Sequence, residues 1–145
     1  LKILPYLTVS PVVLVAGVLS QDPLLRYLLI PPLAVIAFLA SRDPFGPQAQ
    51  WWQISLLPGL AGLLGVMTAR LLGSTPWSEA LLALLLVALL GLTGFAQPPI
   101  LAVGELALLL HLKSLTYPLD VFLATAALAG LFACLRFWLR RSPRY

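Results

Sequence analysis

The sequence predicts an all-α membrane protein: a polytopic helix bundle of four full spans plus two shorter helices, each opened by a Pro-Pro pair. Three observations predict it. Of 145 residues, 61% are hydrophobic and only 10% charged, where a soluble domain carries roughly a quarter charged residues. Apolar runs of about 17–20 residues, the length needed to cross a bilayer, recur along the chain. Two of the apolar stretches are punctuated by adjacent prolines, at Pro31-Pro32 and Pro98-Pro99, and proline is welcome in the first turn of a helix, where its missing N–H is no loss. The length suits a single transmembrane domain over residues 1–145.

In chain order, Ile3 to Ser20 is the first expected span, bent by Pro5 and Pro11. Those internal prolines, and the lack of a small-residue cleavage pattern after the run, distinguish it from a signal peptide. Gln21-Asp22-Pro23 is a polar turn. Leu24 to Ala40 is apolar, divided by Pro31-Pro32, which predicts a short helix from that point. Ser41 to Gln53 is the longest polar loop, and its Trp51-Trp52 pair suits a membrane interface, where the indole is half apolar and its N–H meets water.

Ile54 to Leu72 is the second span. Gly59, Gly62 and Gly65 lie near one face of it and would let a neighbouring helix approach closely. Gly73 to Pro76 is a turn in which Ser74 or Thr75 caps the third span, Trp77 to Phe95. The second Pro-Pro helix runs from Pro98 to about Leu112. At about 1.5 Å per residue it reaches some 20 Å, short of a hydrocarbon core of about 30 Å. Tyr117-Pro118 is read as a turn, and Leu119 to Leu139 as the last span. The order span, Pro-Pro segment, span occurs twice, so residues 1–72 and 77–139 are candidate halves of an internal two-fold repeat.

The charge excludes some function classes. The net charge is +4, but Arg136, Arg140, Arg141 and Arg144 cluster at the C-terminus, as expected of a cytoplasmic membrane anchor and not of a nucleic-acid surface. The expected setting is therefore a bacterial inner or plasma membrane, or an organelle membrane, with the C-terminus in the cytoplasm. Cys134 is the single cysteine, so no internal disulfide or thiolate cluster forms. No paired catalytic residues, phosphate-cradling glycine loop or metal-ligand spacing is present. The chain is not expected to be an enzyme or to carry a cofactor or metal.

The candidate site follows from the Pro-Pro segments. Two helix N-termini at membrane depth would each offer unpaired N–H groups and a partial positive charge, the arrangement many transporters use to hold an anionic substrate. Substrate-binding candidates are thus Pro31, Pro32, Leu33 and Ala34 at the first pair, and Gln97, Pro98, Pro99, Ile100 and Leu101 at the second. Glu105, a carboxylate in the middle of an apolar helix, is costly there and marks a proton path or a contact between helices. His111, beside Lys113, is read as interfacial.

At these residues the chain resembles the HPP family of small integral membrane proteins. Ile30-Pro31-Pro32-Leu33-Ala34, the loop from Asp43-Pro44-Phe45 to Gln53, and Gln97-Pro98-Pro99 carry the likeness, which extends over Leu24 to Leu139. Gln97 stands where the family has the His of its signature. The loop lacks the family's Pro-Arg-Asn and Gly-His. The resemblance implies a four-spanning fold and, because some members are linked to nitrite transport, a transporter of small anions. The alternative expectation is a non-transporting accessory subunit. The partners expected are the lipid bilayer, a small inorganic anion, and a homo-oligomer or larger membrane complex.

Overall fold

In the computed structural model, residues 23–43, 45–46, 49–94 and 98–141 are described. They form five helices: α1 (Pro23–Arg42), α2 (Trp51–Leu71), α3 (Pro76–Thr93), α4 (Pro98–Leu109) and α5 (Thr116–Arg141). The fold is all-α, as the composition predicts. Three described helices, α2, α3 and α5, are long and apolar enough to cross a membrane. That is one fewer than the four full spans expected, since Ile3 to Ser20 lies outside the described residues.

A second correction concerns the first Pro-Pro pair. Pro31 and Pro32 do not begin a helix; they lie inside α1, which starts eight residues earlier at Pro23. Helix formation costs most in its first turn. Once that turn is made upstream, an apolar environment keeps the backbone helical, and the prolines forfeit only the two bonds their amides would have donated four residues back. The second pair does open a helix, as expected.

α2 is the axis of the bundle, with α4 and α5 packed along it. Its glycines set the distances. A Cβ on Gly59 would lie 3.3 Å from Phe122, and one on Gly62 would lie 3.4 Å from the Tyr117 ring, both on α5. A Cβ on Gly65 would run into the Gly104 carbonyl of α4 and lie 2.9 Å from the Ala107 methyl. Lipid tails are as apolar as leucine, so burial alone does not drive helices together in a bilayer; close backbone packing does. The glycine face read from the sequence thus serves two neighbours.

The contacts also fix the sense of each helix. Gly65 meets Gly104, Ala61 O faces Gly104, and the Arg70 Nε–H donates to Lys113 O. These pairs lie 39 to 43 residues apart and advance together along the chain, so α2 and α4 run parallel. Thr125 Oγ1 donates to Ser55 O at 3.2 Å, while Gly62 meets Pro118, so α5 runs antiparallel to α2. α1 leads into the loop before α2 and packs on α4. α4 therefore runs in the sense of α2 and opposite to α5.

Local sequence explains the ends. Thr75 caps α3: Ser78 N–H donates to Thr75 Oγ1 at 3.2 Å, the Thr75 amide donates to Ser78 Oγ at 2.8 Å, and Pro76 fills the first turn. Gly94 closes α3 in the left-handed region, with φ of 73°. α4 ends in a Schellman motif, with Leu112 N–H donating to Ala107 O and His111 N–H to Leu108 O. Its left-handed residue is His111, φ 52°, where glycine is usual. Tyr117-Pro118, read as a turn, lies within the first turn of α5. Tyr117 is buried there, and its hydroxyl donates to Val103 O of α4 at 2.7 Å.

Candidate functional site

α4 is the element around which the candidate site is built. It is short, it carries the second Pro-Pro pair, and α1, α2 and α3 all pack on it. Pro98 is exposed, Pro99 and Ile100 are buried, and Leu101 is half-buried. The helix start is less rich in donors than the sequence reading assumed. With prolines in its first two positions, Ile100 carries the one orphan amide of the first turn, and Leu101 is the first residue able to donate four residues back.

The first Pro-Pro pair contributes no helix terminus. Leu33 is buried and Ala34 half-buried in the interior of α1, so their amides belong to its hydrogen-bond ladder. Pro31 is exposed and Pro32 half-buried. Leu33 joins the same apolar cluster as Val103 and Ala107 of α4, so this segment packs on α4 without opposing a second positive helix end to it. Gln97 lies outside the described residues.

Glu105 sits in the middle of α4. Its side chain is half-buried, and its Oε1 is enclosed without a hydrogen-bond partner. Its neighbour Gly104 is pressed between Ala61 O and the Leu86 side chain, where an added Cβ would lie 3.1 and 2.6 Å from them. The middle of α4 is therefore close-packed on the α2 and α3 sides.

Gln53 is the polar residue that the sequence reading passed over. It is fully buried, at 0% exposure, and neither its Nε2 nor its Oε1 has a hydrogen-bond partner. It falls on the stripe Gln53, Leu57, Ala61, one helical repeat apart. Leu57 and Ala61 pack with Ile100 of α4 and with Leu82, Leu86 and Leu90 of α3. A signal existed in the sequence: Gln53 stands one turn before an apolar stripe and in register with it.

Arg136 Nε, on α5, is likewise enclosed without a hydrogen-bond partner. Gln50 gives α2 no side-chain cap; its Oε1 accepts from Trp52 Nε1–H at 2.7 Å. The end of α5 carries Arg136, Arg140 and Arg141, with the Arg140 guanidinium 5.6 Å from the Phe45 ring centre. That contact puts the C-terminal cations on the same face as the loop following Arg42. Among the described residues no group of three or more metal-ligating side chains converges. An apolar groove of about 300 Å³ lies on the outside, between α2 and α5, lined by Leu56, Leu60, Leu63, Leu115, Leu119 and Phe122 among others. No protein-family model, curated protein or solved structure matches the chain.

Proposed function

We propose that this protein is a small membrane-embedded transporter, with α4 as the element that meets the solute. One observation carries the reading: Glu105 has an enclosed, partnerless carboxylate oxygen on an apolar helix packed by α1, α2 and α3. A carboxylate kept in such a place without a cation is costly, and in membrane proteins it marks a proton or ion path. The solute class implied by the resemblance is a small inorganic anion such as nitrite. Glu105 would couple proton movement to its passage. The opposite senses of α2 and α5 support reading residues 1–72 and 77–139 as inverted halves of a repeat, the architecture in which secondary transporters place their sites. The shared face of Arg42, Arg140 and Arg141 supports a cytoplasmic C-terminus.

The test is nitrite uptake into proteoliposomes under an imposed pH gradient, comparing the wild type with Glu105→Gln. Uptake that responds to the gradient in the wild type and loses that response in the variant supports the reading. A well-folded wild type that moves no nitrite removes the anion, and equal gradient dependence in both removes the role of Glu105.

The accessory-subunit reading has its own support in the close crossing of α2 and α4 at Gly65 and Gly104 and in the outer face of α3. There Trp77, Leu84 and Leu92 are exposed, so α3 offers a wide apolar surface to lipid or to another membrane protein. Co-purification of a defined partner from native membranes, lost when α3 surface leucines are made bulky, would favour it.

A further inference from the structure

The last turns of α5 gather cations that no nearby acid offsets. Arg136, Arg140 and Arg141 lie there, and no acidic residue follows Asp120 in the chain. The loop held beside them through Phe45 follows Arg42, and its one acid, Asp43, lies against Gly46. Phe132 is buried at 0% exposure, and Arg136 and Arg140 continue its stripe one and two turns further on. Arg136 Nε is enclosed and partnerless, while the terminal nitrogens of the same guanidinium are not enclosed. A desolvated cation without an anion is costly, and an arginine stem can ordinarily carry its head clear of the bundle. Here the stem is fixed and the fork faces outward. Arg140 and Arg141 are fixed differently, by rings: their guanidinium carbons lie 5.6 Å from the Phe45 and 4.1 Å from the Phe137 ring centres. A ring covers the flat face of a guanidinium and leaves its edge N–H groups free to donate.

We propose that Arg136 and Arg140, flanked by Arg141, form a binding site for the phosphate of an anionic phospholipid at the membrane face where α5 ends. The donors set the chemistry. Guanidinium edges one helical turn apart match the oxygens of a phosphate, which accepts two parallel N–H bonds from each. The surroundings set the source. Phe137 and Trp138 are exposed on the same turns, and aromatic side chains at the end of a span sit at headgroup level. The guanidinia among them therefore lie at the depth of the lipid phosphates. A free phosphate shares the charge but lacks the acyl chains that hold a headgroup at that depth. A zwitterionic headgroup brings its own cation among the arginines, so the site favours a lipid of net negative charge.

This inference rests on the membrane setting of the chain and is independent of the transport reading. The experiment is native mass spectrometry of the full chain, released from micelles holding equal amounts of phosphatidylglycerol and phosphatidylcholine with identical acyl chains. Each arginine near an anionic headgroup is worth roughly fivefold in binding. The wild type should therefore retain phosphatidylglycerol at least about fivefold over phosphatidylcholine, and the double variant Arg136→Gln/Arg140→Gln should lose that preference. Arg136→Lys, which keeps the charge and removes the fork, should lose part of it. Lys113→Gln, an exposed cation near the opposite end of α5, should keep it in full. Circular dichroism checks that each variant is folded, and Arg140→Gln alone, at an exposed position, carries the test where Arg136→Gln is not. Equal retention of the two lipids by the wild type overturns the site. An equal loss in Lys113→Gln reduces the preference to diffuse net charge and overturns it as well, and full preference in Arg136→Lys overturns the positioned fork. Displacement of bound phosphatidylglycerol by inorganic phosphate overturns the lipid as the source of the phosphate.

Discussion

Replacing Gly65 by alanine should be the most damaging single-methyl change in the described bundle. The added Cβ would run into the Gly104 carbonyl and approach the Ala107 methyl to 2.9 Å. Both obstacles are fixed to the backbone of α4, so relief requires moving one helix away from the other. Overpacking of this kind costs about 1–3 kcal/mol, against which alanine recovers about 1 kcal/mol of helix propensity. Gly91 and Gly130 supply the reference, since a Cβ at either meets nothing within 4 Å. There the propensity gain stands alone, and Gly91→Ala and Gly130→Ala should be unchanged or up to about 1 kcal/mol more stable. The gap between Gly65→Ala and these controls is then about 1–3 kcal/mol, or roughly a five- to hundredfold change in the folding equilibrium. Reversible unfolding in mixed micelles, followed by circular dichroism, measures it. Equal stability of Gly65→Ala and Gly91→Ala would refute the close α2–α4 crossing.

Three further outcomes follow from the same contacts. His111→Gly should stabilise the protein by about 1 kcal/mol, because the left-handed position at the end of α4 penalises a residue with a Cβ; melting of the purified protein would show it, and a loss of stability would count against the Schellman ending. Tyr117→Phe removes the buried hydroxyl bond to Val103 O and orphans neither helix, so a cost of about 1 kcal/mol is expected, read as a lower midpoint of unfolding. Thr75→Ala should cost about 1 kcal/mol through loss of the α3 cap, while Ser74→Ala, whose side chain is not the cap, should change stability by less than half as much.

The features most legible in the sequence were those set by local chemistry. The apolar runs gave α2, α3 and α5 to within a few residues, the Thr75-Pro76 start was readable from capping preferences, and the spaced glycines of α2 meet neighbouring helices. Pro31-Pro32 misled because a proline pair is compatible with two situations: a helix start, or an interior position in a helix already nucleated upstream. Choosing between them depends on Pro23, eight residues away, and on packing against α4. Tyr117 was taken for a turn residue because Tyr-Pro commonly turns. Its burial depends on reaching Val103, a partner fourteen residues away in sequence and on a different helix. Gln53 was hidden for a related reason. At the edge of a polar loop it reads as surface, and its burial is a fact of packing. Glu105 was recognisable as costly from sequence alone, whereas its one enclosed, partnerless oxygen is a fact of packing.

The central claim is that a solute passes through this bundle, and the most direct measurement is flux into proteoliposomes containing the wild-type protein, compared with vesicles lacking it. Nitrite and a large sugar would be followed in parallel. Saturable flux of nitrite, exclusion of the sugar, and reduced flux in Glu105→Gln with the fold intact are expected. Identical nitrite flux in protein-containing and protein-free vesicles would contradict the claim and leave α4 as a packing element.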